Sequence, residues 1–105
     1  MSDALDRLFA TIAARKDADP ASSYTAKLLA EGVEKCAKKF GEEATETVIA
    51  AISRDKTELA KESADVLYHL AVLWTASGVT PEEVYAVLRD REGRSGLEEK
   101  AARKG

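Results

Sequence analysis

Residues 56–78 read KTELAKESADVLYHLAVLWTASG, and the segment Thr80-Pro81-Glu82-Glu83 follows almost at once. Ala, Leu, Glu and Lys dominate the first run, and these are strong helix formers. Leu59, Val66, Leu67, Leu70 and Leu73 recur at helical spacing and are expected to form its buried face. Gly78 is a natural stop, because glycine takes the left-handed conformation that ends a helix without a steric penalty. Thr80 then offers an N-cap, Pro81 a first helical residue and Glu83 the return partner of a capping box. The spacing predicts one long helix ending near Ser77, then a further helix carrying Val84, Val87 and Leu88.

Working towards the N-terminus, residues 53–57 read as a connector in which Asp55 and Glu58 resemble a capping box with Asp as the cap. Before it lies a long helical region from about Tyr24 to Ser53, where Leu29, Val33, Cys36, Phe40, Ala44, Val48 and Ala51 recur every three or four residues. Gly32 and Gly41 interrupt it, each at a cost of about 1 kcal/mol relative to Ala. The region is either two or three shorter helices or one helix bent at the glycines, with a break expected near Gly32 and a second candidate break near Gly41. Leu5, Leu8, Phe9 and Ile12 predict a first helix over about Asp3–Arg15, and Ser22 or Ser23 can cap the next. From Arg89 the chain becomes charged and glycine-containing, which predicts a mobile tail over about 92–105 with room for a short turn over 97–103.

The fold class expected is all-α, with four to five helices in a bundle forming a single domain over 1–105. A helical domain of this size is marginal at burying its own core, so an oligomer is expected. Apolar residues at 45% and charged residues at 33% exclude an ordinary disordered chain. A net charge of −3, without a basic half, argues against nucleic-acid binding. A single Cys excludes an internal disulfide framework and a Cys-rich zinc site. No apolar run is long enough to span a membrane, and MSDALDR at the start lacks a signal core, so a cytoplasmic location is expected.

Two helices carry acids where apolar residues belong. Glu43 and Glu46 are three residues apart on one helix face, with Cβ atoms roughly 5–6 Å apart. Glu62 interrupts the Leu59–Val66 stripe, and Asp65 lies one turn on. If the two helices form an antiparallel hairpin, four carboxylates converge. Like charges at that range repel or hold protons, and a divalent cation reverses the balance. All-oxygen donors suit Mg²⁺, Mn²⁺ or Ca²⁺, and Mg²⁺ commonly shares its shell with phosphates. The pattern therefore points to phosphate-ester or pyrophosphate chemistry, against the alternative of two solvated acidic faces. Glu42 lies off the Phe40 stripe and faces either solvent or substrate.

The remaining candidates carry weaker signals. His69, four residues after Asp65, is expected to be packed or hydrogen-bonded in support of Asp65 rather than a direct ligand. Cys36 is expected in the core, and Tyr68, Trp74 and Tyr85 in the core or a subunit interface. Lys35, Lys38 and Lys39 form either a solvated face or a phosphate clamp. One His is too few for a diiron bundle, which needs two Glu-x-x-His elements.

The runs SYTAKLL (23–29), KKFGEEATE (38–46) and ESADVLYH (62–69), with Gly32, resemble the phosphoribosyl-ATP pyrophosphatase family. The acid pairs alone are shared with MazG-like and dimeric dUTPase-like pyrophosphohydrolases. The Ser-Tyr-Thr segment, the Tyr-His pair and the tail SGLEEK (95–100) narrow the resemblance. It implies an all-α homodimer that uses Mg²⁺ to hydrolyse phosphoribosyl-ATP to phosphoribosyl-AMP and pyrophosphate, the second step of histidine biosynthesis. It also implies Glu43, Glu46, Glu62 and Asp65 as metal ligands, with Glu42 positioning water or serving a second metal. Ser23, Tyr24, Lys38, Lys39 and Arg91 match positions for phosphate and ribose contacts. Val66 and Trp74 stand where leucines are expected, which should affect packing only. The rivals are a house-cleaning pyrophosphohydrolase of non-standard nucleotides and a non-catalytic helical interaction module.

Overall fold

The computed structural model describes residues 3–92. These form five helices: α1 (Asp3–Ala14), α2 (Tyr24–Glu31), α3 (Val33–Ile52), α4 (Lys56–Ser77) and α5 (Pro81–Arg91). The expected tail and the turn over 97–103 lie outside the described residues. Among those described there is no strand, and no helix is long and apolar enough to cross a membrane.

The caps follow the local chemistry. Ser23 caps α2 by accepting from the Ala26 N–H, and Thr80 with Glu83 forms a complete capping box on α5. At α4 only half the expected box exists. Asp55 accepts from the Glu58 N–H at 3.1 Å, but the Glu58 carboxylate turns to Lys61 at 3.7 Å. Gly78 closes α4 in the left-handed conformation, at φ 75°.

The two interior glycines behave differently. Gly32, at φ 98°, separates α2 from α3 as expected, whereas α3 runs through Gly41 without a break. The cost of Gly41 is small, and tertiary packing along α3 outweighs it. The last helix also differs from expectation. It continues past Arg89 to Arg91, with Arg89 and Arg91 in its final turn, where cations favour the helix dipole.

α3 and α4 are joined by three residues and form a long antiparallel hairpin, the most extensive helix pairing in the molecule. α1 lies on α4, while α2 touches both arms of the hairpin. The core joins Ile12, Leu28, Cys36, Ala71 and Val72, with Leu8, Phe9, Leu29, Tyr68, Leu73 and Ala76 packed around it. The Cys36 thiol donates to the Leu28 carbonyl at 3.3 Å, tying α3 to α2 across the Gly32 break. On α4 the fully buried residues are His69, Ala71 and Val72, not the expected leucines; Leu67 is 40% exposed. Small residues let α1, α2 and α3 all approach α4, and the larger leucines flank that seam.

Leu28 is 1% exposed at the junction of α2 with the core. Leu28→Ala is expected to cost roughly 2–5 kcal/mol, read as a lower urea midpoint with an unchanged slope.

Candidate active site

The α3–α4 hairpin brings the acids of its two arms together. Glu43 of α3 and Glu62 and Asp65 of α4 each offer a carboxylate oxygen within 4.8 Å of the others. Glu46 stands beside this group, close enough for its carboxyl to share a hydrogen bond with Glu62. Glu43 and Glu62 are half-buried, while Asp65 opens to solvent.

Thr47, which no sequence argument singled out, helps set the register. Its hydroxyl points to the Glu43 carbonyl at 2.8 Å and across the hairpin to the Glu62 carbonyl at 3.3 Å. A threonine inside a helix is mildly unfavourable by itself, and that is the one signal the sequence offered.

Electrostatics single out Glu62. Burial pushes its carboxyl up to about 7, and the neighbouring Glu46, Glu43 and Asp65 carboxylates push in the same direction. Its Oε2 is buried without a hydrogen-bond partner. An orphaned carboxylate oxygen facing two other carboxylates fits a hard divalent cation, which would neutralise the cluster and satisfy that oxygen.

The surroundings differ on the two sides of the cluster. Towards the hairpin turn lies an open cleft of about 350 Å³, bordered by Glu46, Ile49, Asp55, Glu58 and Glu62. Its acidic walls suit cations and repel polyphosphate. In the other direction Lys39 and Lys35 precede Glu43 by one and two turns on α3, and both are half-buried. Lys38 is exposed. Glu42 lies outside the carboxylate group, on the outer face, paired with Lys39 at 3.5 Å.

The remaining candidates sit further along. Ser23 is buried, and its hydroxyl accepts the Ala26 N–H as the α2 cap. Tyr24 is 53% exposed, with its ring stacked on Tyr68 at 6.5 Å and edge-on to His69 at 6.4 Å. The Tyr68 and Thr25 hydroxyls bond, which joins α2 to α4. Arg91 ends α5, a helix with no fully buried residue. His69 is buried, the packed alternative of the expectation, and its Nδ1 has no hydrogen-bond partner. Cys36 is in the core as expected, where burial raises its thiol pKa.

A helical hairpin that gathers Glu43, Glu62 and Asp65 defines an all-α protein with an acidic cluster whose oxygens could hold a divalent cation. A family model described as phosphoribosyl-ATP pyrophosphohydrolase matches residues 5–92. A Parvibaculum lavamentivorans protein named phosphoribosyl-ATP pyrophosphatase is 67% identical over 99 residues, covering 94% of this chain and 91% of its own. Proteins of the same name from Cereibacter sphaeroides and Azospirillum brasilense are 63% and 59% identical, covering 94% and 95% of this chain and 96% and 90% of theirs. The chain belongs to the phosphoribosyl-ATP pyrophosphohydrolase family.

Glu62 gives the metal-free fold a pH dependence of known sign. Its carboxyl binds a proton more tightly when folded, at about 7, than at its ordinary 4.5. Between these values the folded state holds more protons than the unfolded, so this contribution is complete at low pH and is lost as pH rises through the folded value. In EDTA, the melting temperature of the wild type should fall relative to Glu62→Gln between about pH 5 and pH 8. Parallel profiles for the two proteins would refute the assignment.

Proposed function

We propose that the protein hydrolyses phosphoribosyl-ATP to phosphoribosyl-AMP and pyrophosphate, the second step of histidine biosynthesis, with Mg²⁺ as cofactor. The observation that carries this reading is the convergence of Glu43, Glu62 and Asp65 in a chain whose relatives bear that name across nearly their full length. Glu43, Glu46, Glu62 and Asp65 would hold the cation. Once bound, it supplies charge neutralisation for the polyphosphate and the departing pyrophosphate.

The protein's own residues do the rest. Lys39 and Lys38 bind phosphate oxygens on the side away from the acidic cleft. Ser23, Tyr24 and Arg91 contribute ribose and phosphate contacts. Carboxylate oxygens at the rim of the cluster, with Glu42 at its outer edge, orient the water that attacks phosphorus. Rigid helices hold these groups in place, and in phosphoryl transfer positioning and electrostatics account for most of the catalysis. No covalent nucleophile is needed, and the one thiol is buried.

The working unit is a homodimer in the cytoplasm. Among the described residues only seven apolar side chains are fully buried, and three of these are alanines. Val48, Ile49 and Ile52 instead form an exposed stripe on α3, at 55%, 58% and 75%. A second copy covering this stripe would border the acidic cleft, since Ile49 belongs to both.

Three experiments test these statements. Pyrophosphate release should be fast from phosphoribosyl-ATP with Mg²⁺ and abolished by EDTA, with ATP and dUTP poor competitors. Glu62→Gln should lose turnover while keeping its helical structure. Hydrolysis of the competitors instead would move the protein to the house-cleaning enzymes, and no hydrolysis at all would leave a non-catalytic module. Separately, Ile52→Glu should convert a dimer to a monomer in sedimentation; an unaltered dimer would place the interface elsewhere.

A further inference from the structure

Two buried polar side-chain atoms among the described residues lack a hydrogen-bond partner, Glu62 Oε2 and His69 Nδ1. Both belong to α4, and they flank Asp65, three residues before it and four after. An unpaired buried polar atom is unfavourable and calls for a ligand, a water or a functional demand. The cation accounts for the Glu62 oxygen but not for the His69 nitrogen.

The packing around His69 would suit an apolar ring. The imidazole is 6% exposed, and His69 does not border the acidic cleft. Tyr68 meets it edge-on at 5.0 Å and 85°, and Tyr24 at 6.4 Å and 88°. Those contacts fix the plane of the ring without satisfying Nδ1. Helical side chains lean towards the helix N-terminus, so a ring at position 69 lies over the turn that carries Asp65.

We infer that His69 is a positioning residue for Asp65, its Nδ1–H donating a hydrogen bond to the Asp65 carboxylate when the site is loaded. This rests on the function proposed above. The carboxylate then presents one oxygen in a fixed direction, and its other oxygen is held from behind. The same ring touches Tyr24 at the start of α2. It therefore links the orientation of Asp65 to the side of the site where substrate contacts are assigned.

The test titrates wild type, His69→Phe and His69→Asn with Mn²⁺ alone by calorimetry, and measures kcat and KM for each. His69→Phe fills the same space without an unpaired nitrogen, so in EDTA it should melt at or above the wild-type temperature. Its Mn²⁺ affinity should drop about 10–100-fold, the usual effect of removing an outer hydrogen bond to a metal ligand. kcat should fall more than KM rises. The Asn amide places a donor near the Nδ1 position, so His69→Asn should recover most of the Mn²⁺ affinity. If His69→Phe does not fold, His69→Leu takes its place with the same expectations. Wild-type Mn²⁺ affinity in the apolar variant overturns the inference, as does a loss that Asn fails to restore. A wild-type protein that neither binds Mn²⁺ nor releases pyrophosphate overturns the proposed function as well; one that does both beside an unaffected apolar variant overturns the inference alone.

Discussion

Repulsion among the carboxylates of one helical hairpin is the constraint that the rest of the molecule accommodates. Glu43, Glu62 and Asp65 sit within 4.8 Å of one another because α3 and α4 are held in a single register. That register is set at the turn, where Asp55 caps α4 and Arg54 adopts a left-handed φ of 61°. The Thr47 hydroxyl reinforces it at the level of the acids. Apolar contact further along the hairpin, around Cys36 and Val72, holds the arms together against the repulsion. What repulsion remains is relieved by Glu62 keeping its proton to about 7. The fold thus retains an unfavourable cluster that a bound divalent cation would convert into a favourable one.

Much of this was legible in the sequence because capping chemistry is local. Thr80, Pro81 and Glu83 specify the start of α5 without reference to anything distant, and Gly78 specifies the end of α4. The glycines show where local reasoning stops. Gly32 and Gly41 have the same intrinsic cost, yet only Gly32 breaks the helix. A break there lets Leu28 and Cys36, on separate helices, enter one core and bond to each other. At Gly41 a break would separate Glu43 and Thr47 from the part of α3 that packs against the core. The choice between the two is tertiary, and periodicity along one helix does not contain it.

The same limit applies to the site. Spacing placed Glu43 with Glu46 and Glu62 with Asp65, and the hairpin brought the two sets together. Spacing set Glu42 off the stripe that carries Glu43 but could not decide whether it faces solvent or substrate. Its orientation comes from the rotation of α3 about its axis, which turns Glu42 out to Lys39 and Glu43 towards α4. Nor could it show that α4 buries Ala71 and Val72 more deeply than its leucines, since that depends on which helices approach it. Ser23 illustrates a different ambiguity. Its hydroxyl oxygen accepts the cap bond while its O–H is a separate donor, so capping and ligand contact are not exclusive and spacing does not distinguish them.

The exposed apolar residues bear on catalysis as well as on assembly. α5 has no fully buried residue, and Val87 and Leu88 are about half-exposed, at 47% and 48%. Such a short helix leans on the contacts of a few side chains, here Tyr85 with Phe9 and Asp6 of α1, because in proteins most helical stability comes from packing an apolar face. Arg91 sits at the far end of that helix. An arginine that contacts phosphate needs a fixed position, since the benefit of a charge-assisted contact depends on preorganised geometry. The carboxylate cluster thus forms within a single chain, whereas the phosphate contact proposed for Arg91 would also depend on how α5 is anchored.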